Sequence, residues 1–516
     1  MLKIMFYGGA GTIGGNMIQV SIENTSILFD IGKSYDVYDR FFGMGYRNYP
    51  MEFEDLVISS LIPRELAGKF FIDKNVQKPV GSSPIDAVFV SHSHFDHSWY
   101  IPLVRDDVPI YMNKIAYTMY RSAVGKPRGG RSIVDKNVQG EIPSFPNVKT
   151  LTTENKSIRA LNFDDFNVLY GPVDHSIPGA YAYALEYEDK LLLYTGDFRL
   201  HGMFSEKRKS FLDMIEDRRS DYREIILITE GTNWGSEEPF LNEKQVEENV
   251  REMLRRHYKD FKTAIALVSP NDVDRVRELF KAASLAAFDE GKYLKPFVDH
   301  TVAKLLTALN AEKLLEPIPR IGECIEAGTT TEKKGKTEPL RVMLLGEKRY
   351  TKKGEAKKGD WHGYLVHTLG VNDEDIIGMK ELASEIDEND NSRYFILLSS
   401  FNLDPFYLKK IIKPSSLVLF STSEPFKEEL ILDYEKKVNQ LMVLGARIAR
   451  VHTTGHVRPE DHVDLLARLK PDIVLPVHTE YPEYISHLLT MAKIKSRDRK
   501  WNPKYFICRQ RDVVSF

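Results

Sequence analysis

The chain has very little cysteine, with only Cys324 and Cys508 among 516 residues. Two cysteines cannot form a disulfide framework, which favours a reducing compartment. Long apolar runs are also missing, since none approaches the ~18 residues that a membrane-crossing helix needs. The first residues, MLKIMFYGG, lack the anatomy of a signal peptide. We therefore expect a cytoplasmic protein that makes no membrane contact.

Neither sign of charge dominates, because 71 basic and 74 acidic side chains leave a net charge of −3. This balance argues against a general polyanion-coating protein, so any nucleic-acid contact would need a local basic patch. The apolar and charged fractions, 42% and 28%, are those of ordinary globular proteins and exclude disorder or a collagen-like repeat. The length predicts roughly two to four folding units.

The pattern of the sequence changes along the chain. The first third has short apolar runs separated by turn residues, which predicts β-hairpins. From about residue 225, strands alternate with helical patterns, which predicts a parallel α/β layer. In residues 242–261 the apolar positions have helical spacing behind an Asn242–Gln245 capping box. The lysine-rich segment 332–358 predicts an exposed basic loop, either simply solvated or in contact with nucleic-acid phosphates.

A glycine motif near the start, Gly9-Ala10-Gly11-Thr12-Ile13-Gly14, matches the G-x-G-x-x-G fingerprint of dinucleotide-binding proteins. That fingerprint requires a helix directly after the glycines, because the helix N-terminus holds the pyrophosphate. Here residues 16–22 alternate in a strand pattern instead. We therefore reject a dinucleotide site and expect the glycines to form a tight turn beside another ligand site.

A cluster of metal-ligating residue types follows the apolar strand 85–90, in the order His92-x-His94-x-Asp96-His97. Imidazole and carboxylate groups suit zinc or manganese, and alternating side chains that enter a loop can face two adjacent ions. A merely solvated turn has no reason to contain three histidines. The motif therefore predicts a metal centre.

Three further candidates, His175, Asp197 and His478, each follow an apolar β-run. Taken singly, each is compatible with an ordinary structural role. Because strand ends meet at sheet edges, one edge could bring all seven groups together.

In the order Asp30, H-x-H-x-D-H, His175, Asp197, these residues resemble the metallo-β-lactamase fold. Glu230, His456 and His478 resemble the three additional motifs of the β-CASP nucleases, most closely those of RNase J-like ribonucleases. The resemblance implies an α/β architecture, an αββα sandwich with an inserted α/β β-CASP domain. The sandwich would comprise 1–232 and 449–516, the inserted domain would comprise 233–448, and the active site would lie between them.

The resemblance also implies two divalent metal ions, with zinc favoured and manganese as the alternative. His92, His94 and His175 would hold one ion. Asp96, His97 and His478 would hold the second, and Asp197 would bridge the two. Asp30 would support a ligand imidazole. Two ions can clamp the attacking and departing oxygens of a phosphoryl displacement.

By the same resemblance the catalytic set is Asp30, Asp96, Asp197, Glu230 and His456. His456 would protonate the leaving oxygen or hold the phosphate, and Glu230 would orient it. RNase J-like enzymes usually have Ser-Gly-His-Ala-Ser where this chain has Thr454-Gly455-His456-Val457-Arg458. Thr454 keeps a hydroxyl and Arg458 supplies a cation, so both are expected, with His456, to contact substrate.

The predicted function is hydrolysis of RNA phosphodiester bonds in RNA processing or decay, with single-stranded RNA as substrate. RNase J-like relatives are often dimers or tetramers, so the resemblance implies a homo-oligomer such as a homodimer. His478 favours RNA, because DNA-repair members of the β-CASP group tend to have an apolar residue at that motif. The alternatives are a DNA nuclease of the same fold and a catalytically silent nucleic-acid-binding member. A small-molecule hydrolase is disfavoured by the inserted domain.

Overall fold

A computed structural model describes the chain outside a set of short segments. The segments that it leaves undescribed are 43–48, 126–131, 139–142, 153–157, 203–209, 237–240, 291–293, 313–323, 326–339, 347, 350, 353–354, 357–360, 369 and 424–427. The chain divides into two compact units, one formed by Met1–Pro239 with Gly455–Phe516 and the other by Phe240–Thr454. The domain limits expected from the sequence stay predictions.

The N-terminal part of the first unit contains most of its strands, namely β1 (Leu2–Gly8), β2 (Met17–Ile22), β3 (Thr25–Phe29), β4 (Ala87–Val90), β5 (Ile110–Asn113), β6 (Val148–Leu151), β7 (Arg159–Asn162), β8 (Asn167–Pro172), β9 (Tyr181–Tyr187), β10 (Lys190–Tyr194) and β11 (Glu224–Glu230). Its helices are α1 (Tyr35–Phe41), α2 (Phe53–Ile58), α3 (Phe95–Ser98), α4 (Lys114–Val124), α5 (Ile133–Lys136) and α6 (Phe211–Asp217).

The second unit alternates helices and strands. Its helices are α7 (Glu243–Arg256), α8 (Val273–Asp289), α9 (His300–Glu312), α10 (Trp361–Gly363), α11 (Met379–Glu388) and α12 (Glu428–Val443). Its strands are β12 (Thr263–Val268), β13 (Leu294–Asp299), β14 (Cys324–Ile325), β15 (Leu340–Arg341), β16 (Met343–Leu345), β17 (Ile376–Ile377), β18 (Arg393–Ser399), β19 (Leu417–Ser421) and β20 (Arg447–Arg450). The chain then returns to the first unit through α13 (Pro459–Leu469), β21 (Ile473–Val477), α14 (Ile485–Ser496), β22 (Lys504–Tyr505) and β23 (Val513–Ser515).

The first unit is a sandwich of two sheets, ordered β23-β1-β2-β3-β4-β5-β6 and β22-β21-β11-β10-β9-β8-β7. Strand β4 shows how the layers form, because its side chains alternate between two faces. Ala87 and Phe89 join the core that includes residues of both sheets, whereas Val88 and Val90 join the core that includes residues of the α4 and α5 helices. A third core packs α6, α13 and α14 on the other sheet.

Parallel pairing positions the functional residues. Strand β11 pairs in parallel with both β10 and β21, so the carboxyl ends of all three strands lie at one edge. Glu230 at the end of β11 is opposite Val477, directly before His478. Strands β3 and β4 are also parallel, and they lead into Asp30 and His92. Asp197 follows β10 by three residues. The fold therefore delivers residues from distant parts of the sequence to neighbouring strand ends.

The second unit has a parallel sheet ordered β17-β16-β13-β18-β12-β19-β20. Its helix α7 begins at the expected capping box, in which Asn242 and Gln245 exchange side-chain and backbone hydrogen bonds. The predicted fold class, an αββα sandwich with an inserted α/β unit, is confirmed. The glycine motif leads into strand β2 and not into a helix, which confirms the rejection of a dinucleotide fingerprint.

The sequence also predicts an exposed basic loop and the absence of membrane-crossing helices. Much of the lysine-rich segment 332–358 lies outside the described residues. Within the described part of the chain, no helix combines the length and apolar character that crossing a bilayer demands.

Candidate metal centre

The loop after β4 carries four of the predicted ligands, and glycines pack closely against it. A Cβ atom on Gly14 would lie 2.8 Å from Asp96 Oδ2, and Gly14 has a φ of +79°. A Cβ atom on Gly32 would overlap the Asp96 carbonyl oxygen at 1.6 Å. These glycines therefore allow two chain segments to approach a metal-ligand candidate more closely than any other residue would permit.

The predicted ligands come together in the first unit. Side-chain atoms of His92, His94, His175 and Asp197 lie within 4.8 Å of one another, and so do those of Asp96, His97 and His478. A third group, bounded by the same distance, contains Asp197, Glu230, His456 and His478. The three groups share members, so they form one continuous cluster.

Asp197 occupies the centre of this cluster. Its Oδ2 atom lies 3.1 Å from His97 Nε2, 3.6 Å from His478 Nε2 and 3.7 Å from His92 Nε2. The same oxygen is 4.0 Å from His175 Nε2. A single carboxylate thus faces ring nitrogens from both halves of the predicted ligand set, which is the position that a bridging ligand requires.

The protonation states on one side of the cluster suit metal binding. Burial, reinforced by charge on neighbouring histidines, holds the pKa of His92 and of His175 well below the ordinary value. Burial also lowers the pKa of His94 to about 4. These three imidazoles are therefore neutral near pH 7, the form in which a ring nitrogen offers a lone pair to a metal.

The other side of the cluster holds ionised groups. Burial disfavours a charged His97, but the carboxylates of Asp197 and Asp30 raise its pKa well above the ordinary value. Burial likewise opposes ionisation of Asp96 and Asp197, yet nearby histidines hold the pKa of both carboxyls below the usual range. The site therefore presents carboxylates that a cation could bind.

Unsatisfied polar atoms indicate that the residues fit metal ions. Among the described residues, Asp197 Oδ1 is a buried atom without a hydrogen-bond partner. His175 Nδ1 lies 2.6 Å from the Gly455 carbonyl oxygen, so Nδ1 carries the proton and Nε2 keeps its lone pair. That Nε2 points at His94 Nδ1, 3.3 Å away, which in turn is 3.0 Å from His92 Nε2. A cation would satisfy these converging nitrogens.

Asp30 supports the cluster from behind. Its Oδ2 atom lies 2.7 Å from His97 Nδ1 and accepts hydrogen bonds from Tyr194 Oη at 2.5 Å and Ser91 Oγ at 2.8 Å. Its Oδ1 atom accepts the Ser91 backbone N–H at 2.6 Å. Asp30 is fully buried. Because Asp30 holds Nδ1 of His97, the ring presents Nε2 to the cluster. Carboxylates that orient metal-binding histidines act in the same way.

Two of these residues have left-handed backbone conformations. The φ angles of Asp30 and His478 are +57° and +52°. Such values are uncommon outside glycine, and they concentrate at sites where the surrounding structure enforces them. The His478 backbone N–H donates to the Gly9 carbonyl oxygen at 2.6 Å, which is one contact that holds this conformation.

The buried Glu230 and the half-buried His456 form a pair next to Asp197. His456 Nδ1 lies 3.1 Å from Glu230 Oε2 and 3.7 Å from Asp197 Oδ2. Burial opposes a charged imidazole, but Glu230 and Asp197 together raise the pKa of His456 to about 9. Glu230 also accepts the backbone N–H of Phe198 at 3.0 Å. The carboxylate is therefore fixed, and the imidazole it holds is protonated near neutral pH.

The candidate substrate contacts lie on either side of His456. Thr454 is the last residue of the second compact unit. Arg458 precedes helix α13 and forms a two-pronged contact with Asp461, at 2.7 Å through Nε and 3.0 Å through an Nη atom. Arg458 is thus held in place by a carboxylate within its own helix turn.

Several supporting residues were not predicted, because hydroxyl and aromatic side chains carry no sequence signal for such a role. They include Ser91 and Tyr194 around Asp30, Thr232 between two histidines, and the buried His462 beside Thr229. Trp234, in the turn after β11, is 1% exposed and its Nε1–H donates to His462 Nδ1 at 3.3 Å, so it is a packing residue.

Comparison with known proteins agrees with this geometry. Residues 63–224 match the family model of the metallo-beta-lactamase superfamily. The chain is similar to Ribonuclease J of Corynebacterium glutamicum, with 22% identity over 93% of this chain and 54% of that protein. It is also similar to Ribonuclease J2 of Bacillus subtilis, with 21% identity over 100% of this chain and 75% of that protein.

A solved structure, a protein of unknown function from Enterococcus faecalis, has a TM-score of 0.65 and 18% identity, with 99% of both chains covered. That likeness concerns the fold alone. The chain spans about half of the Corynebacterium relative and three quarters of the Bacillus relative. Together with the ligand cluster, the matches show a metallo-beta-lactamase domain over residues 63–224 and a similarity to proteins named Ribonuclease J over most of the chain.

Proposed function

We propose that the protein is a metal-dependent ribonuclease that hydrolyses phosphodiester bonds of single-stranded RNA in RNA processing or decay. The observation that carries this proposal is the convergence of four ligand imidazoles on Asp197, whose Oδ2 atom lies 3.1 to 4.0 Å from their ring nitrogens. The similarity to proteins named Ribonuclease J supports RNA as the substrate.

Two divalent ions, when bound, would supply Lewis acidity to the phosphate and activate a water molecule. His92, His94 and His175 would hold one ion, and Asp96, His97 and His478 the other, with Asp197 between them. Imidazole and carboxylate ligands suit zinc, which we favour, and also manganese. A cytoplasmic location and a homodimer stay predictions from the sequence.

His456 would hold the phosphate or protonate the leaving group. Its Nδ1 atom faces Glu230, so the proton on Nε2 is the one available to a substrate oxygen. With the pKa raised to about 9, the imidazole is charged near pH 7 and can hold the phosphate or protonate the departing oxygen. Glu230 acts through His456 and is a positioning residue.

Arg458 and Thr454 would contact a phosphate at the end of the RNA. Arg458 uses Nε and one Nη group to bind Asp461, and a guanidinium has five N–H donors in all. The remaining donors can therefore bind phosphate while Asp461 fixes the side chain. A hydroxyl at residue 454 adds one further donor.

The test is cleavage of a 5′-labelled single-stranded RNA and its matched DNA, with added Mn²⁺ or Zn²⁺. The double variant Asp96→Ala, His97→Ala removes two ligand candidates. The control Asp165→Ala, His487→Ala removes the same residue types elsewhere in the same unit. Metal-dependent RNA cleavage that only the first variant loses supports the proposal, and the product lengths distinguish exonuclease from endonuclease action.

Other outcomes would contradict the proposal. Preferential cleavage of DNA would indicate a DNA nuclease of the same fold. If the wild-type protein bound two metals per chain and cleaved neither nucleic acid, the chain would instead be a catalytically silent member.

A further inference from the structure

The turn after β11 places a single hydroxyl among three functional side chains. Thr232 Oγ1 lies 2.7 Å from Glu230 Oε2, 2.8 Å from His478 Nδ1 and 3.1 Å from His456 Nδ1. Glu230 precedes Thr232 by two residues, whereas the two histidines come from more than 200 residues further along the chain. The hydroxyl thus links the predicted metal ligand His478 to the Glu230–His456 pair, which is predicted to act on the leaving group.

The available protons determine which groups around the Thr232 hydroxyl donate and which accept. The Thr232 hydroxyl has one hydrogen, and an ionised carboxylate can only accept, so the hydroxyl donates to Glu230. Its oxygen lone pairs then accept an N–H from a histidine, and the shorter of the two contacts is the one from His478 Nδ1. His478 Nδ1–H can therefore donate to the Thr232 hydroxyl oxygen. On the other side of the ring, Nε2 lies 3.2 Å from Asp96 Oδ2 and 3.6 Å from Asp197 Oδ2, where a bound metal ion would take the place of a proton and leave the ring proton on Nδ1.

We propose that Thr232 is a positioning residue that fixes the tautomer and the ring orientation of His478 for metal binding. The proposal rests on the proposed function only in taking His478 as a metal ligand. The same hydroxyl also contacts Glu230, which in turn contacts His456. Thr232 therefore couples the orientation of His478 to that of the Glu230–His456 pair. The Thr232 backbone N–H, which donates to Glu230 Oε2 at 3.2 Å, holds the turn in register.

Three of the other four ligand imidazoles show the same construction with different partners, whereas His94 turns Nδ1 itself toward the cluster. Nδ1 of His97 lies 2.7 Å from the carboxylate of Asp30, and Nδ1 of His175 lies 2.6 Å from the carbonyl oxygen of Gly455. Nδ1 of His92 lies 3.0 Å from a hydroxyl, Ser91 Oγ. Each ring is thereby turned so that Nε2 faces the cluster. For His478 the partner that does this is Thr232.

The experiment compares Thr232→Val, which keeps the branched shape but lacks the hydroxyl, with Thr232→Ser, which keeps the hydroxyl. Thr229→Val is the matched control, because Thr229 lies three residues earlier, buried in β11, and its hydroxyl contacts His462 at 3.2 Å, which is not a ligand candidate. Zn²⁺ stoichiometry and affinity are measured by competition with a chromophoric chelator, so no RNA cleavage is needed.

We expect Thr232→Val to weaken the second Zn²⁺ about 10- to 100-fold, the range typical of lost partners of metal ligands. Thr232→Ser and Thr229→Val should stay near wild-type affinity. Wild-type affinity in Thr232→Val, or an equal loss in the Val and Ser variants, would overturn the proposal. If Thr232→Val does not fold, Thr232→Ala carries the same expectation with less bulk. Failure of the ribonuclease proposal would look different, since both metals would bind normally without RNA cleavage.

Discussion

Replacing Asp30 by asparagine tests how much the metal centre depends on one buried carboxylate. Asparagine has the same shape and also tolerates the +57° φ of this position, so the backbone is not strained. The Oδ2 atom serves His97, Ser91 and Tyr194, while Oδ1 accepts the Ser91 N–H. If the amide oxygen keeps the three contacts of Oδ2, the amide N–H₂ meets the Ser91 N–H, donor against donor. The charge that supports His97 is lost in either orientation.

The expected magnitude follows from these contacts. A hydrogen bond to a charged group contributes about 1.5–3 kcal/mol. At about 1.4 kcal/mol per tenfold change, this loss corresponds to roughly a 10- to 150-fold weaker site. The 10- to 100-fold effects seen when partners of metal ligands are removed are of the same size. We expect the loss at the ion that His97 would hold.

The assay is Zn²⁺ competition with a chromophoric chelator, together with thermal melting of the metal-free protein. Asp165→Asn is the control, because Asp165 also accepts hydrogen bonds near a hairpin, from Thr25 Oγ1 at 2.8 Å and the Asn24 N–H at 3.3 Å. Asp165→Asn should leave both zinc affinities unchanged. Two sites of wild-type affinity in Asp30→Asn would refute the reasoning, and so would an equal loss in both variants.

Three other predictions concern catalysis, substrate and pH. His456→Ala should lower single-turnover RNA cleavage about 10²- to 10⁴-fold without changing metal content; a change in bound zinc would show that His456 is a ligand instead. Arg458→Ala, which also frees Asp461, should raise KM about tenfold for 5′-monophosphorylated RNA but not for 5′-hydroxyl RNA. Burial and Glu247 raise the pKa of the Glu278 carboxyl to about 8. The protonated carboxyl therefore contributes fully to stability below its unfolded pKa of about 4.5. That contribution is lost as the pH rises through about 8. Glu278→Gln should flatten that loss in melting curves between about pH 5 and pH 9, and an unchanged slope would count against the shift.

The strand ends of the site could be predicted from the sequence because apolar runs mark them. The strand pattern of residues 16–22 agrees with β2 to within one residue, and the predicted strand 85–90 ends where β4 ends. These patterns place candidate ligands at strand ends. They do not show which strands are neighbours, because the pairing of β11 with β21 joins segments about 240 residues apart. The resemblance to known nucleases supplied the grouping of the ligands.

The partners of the ligands could not be predicted for a different reason. Ser91, Thr232 and Tyr194 act through single hydroxyl groups, and serine, threonine and tyrosine occur throughout the chain in other roles. Their function depends on distances of about 3 Å across segments that only the folded chain brings together. The Asn242–Gln245 capping box was predictable because its two residues are local in sequence.

Charge balance explains why this set of side chains is assembled at one buried edge. Asp30 and Asp197 are almost fully buried and Asp96 is largely so, which would be costly for carboxylates without compensation. In the metal-free protein the compensating positive charge is that of a protonated His97, because the carboxylates raise its pKa well above the ordinary value. A divalent ion placed between the same groups supplies more positive charge and displaces that proton. Two such ions would balance the four carboxylates Asp30, Asp96, Asp197 and Glu230. A protonated His456 would then leave the site with a positive charge that attracts an anionic phosphodiester.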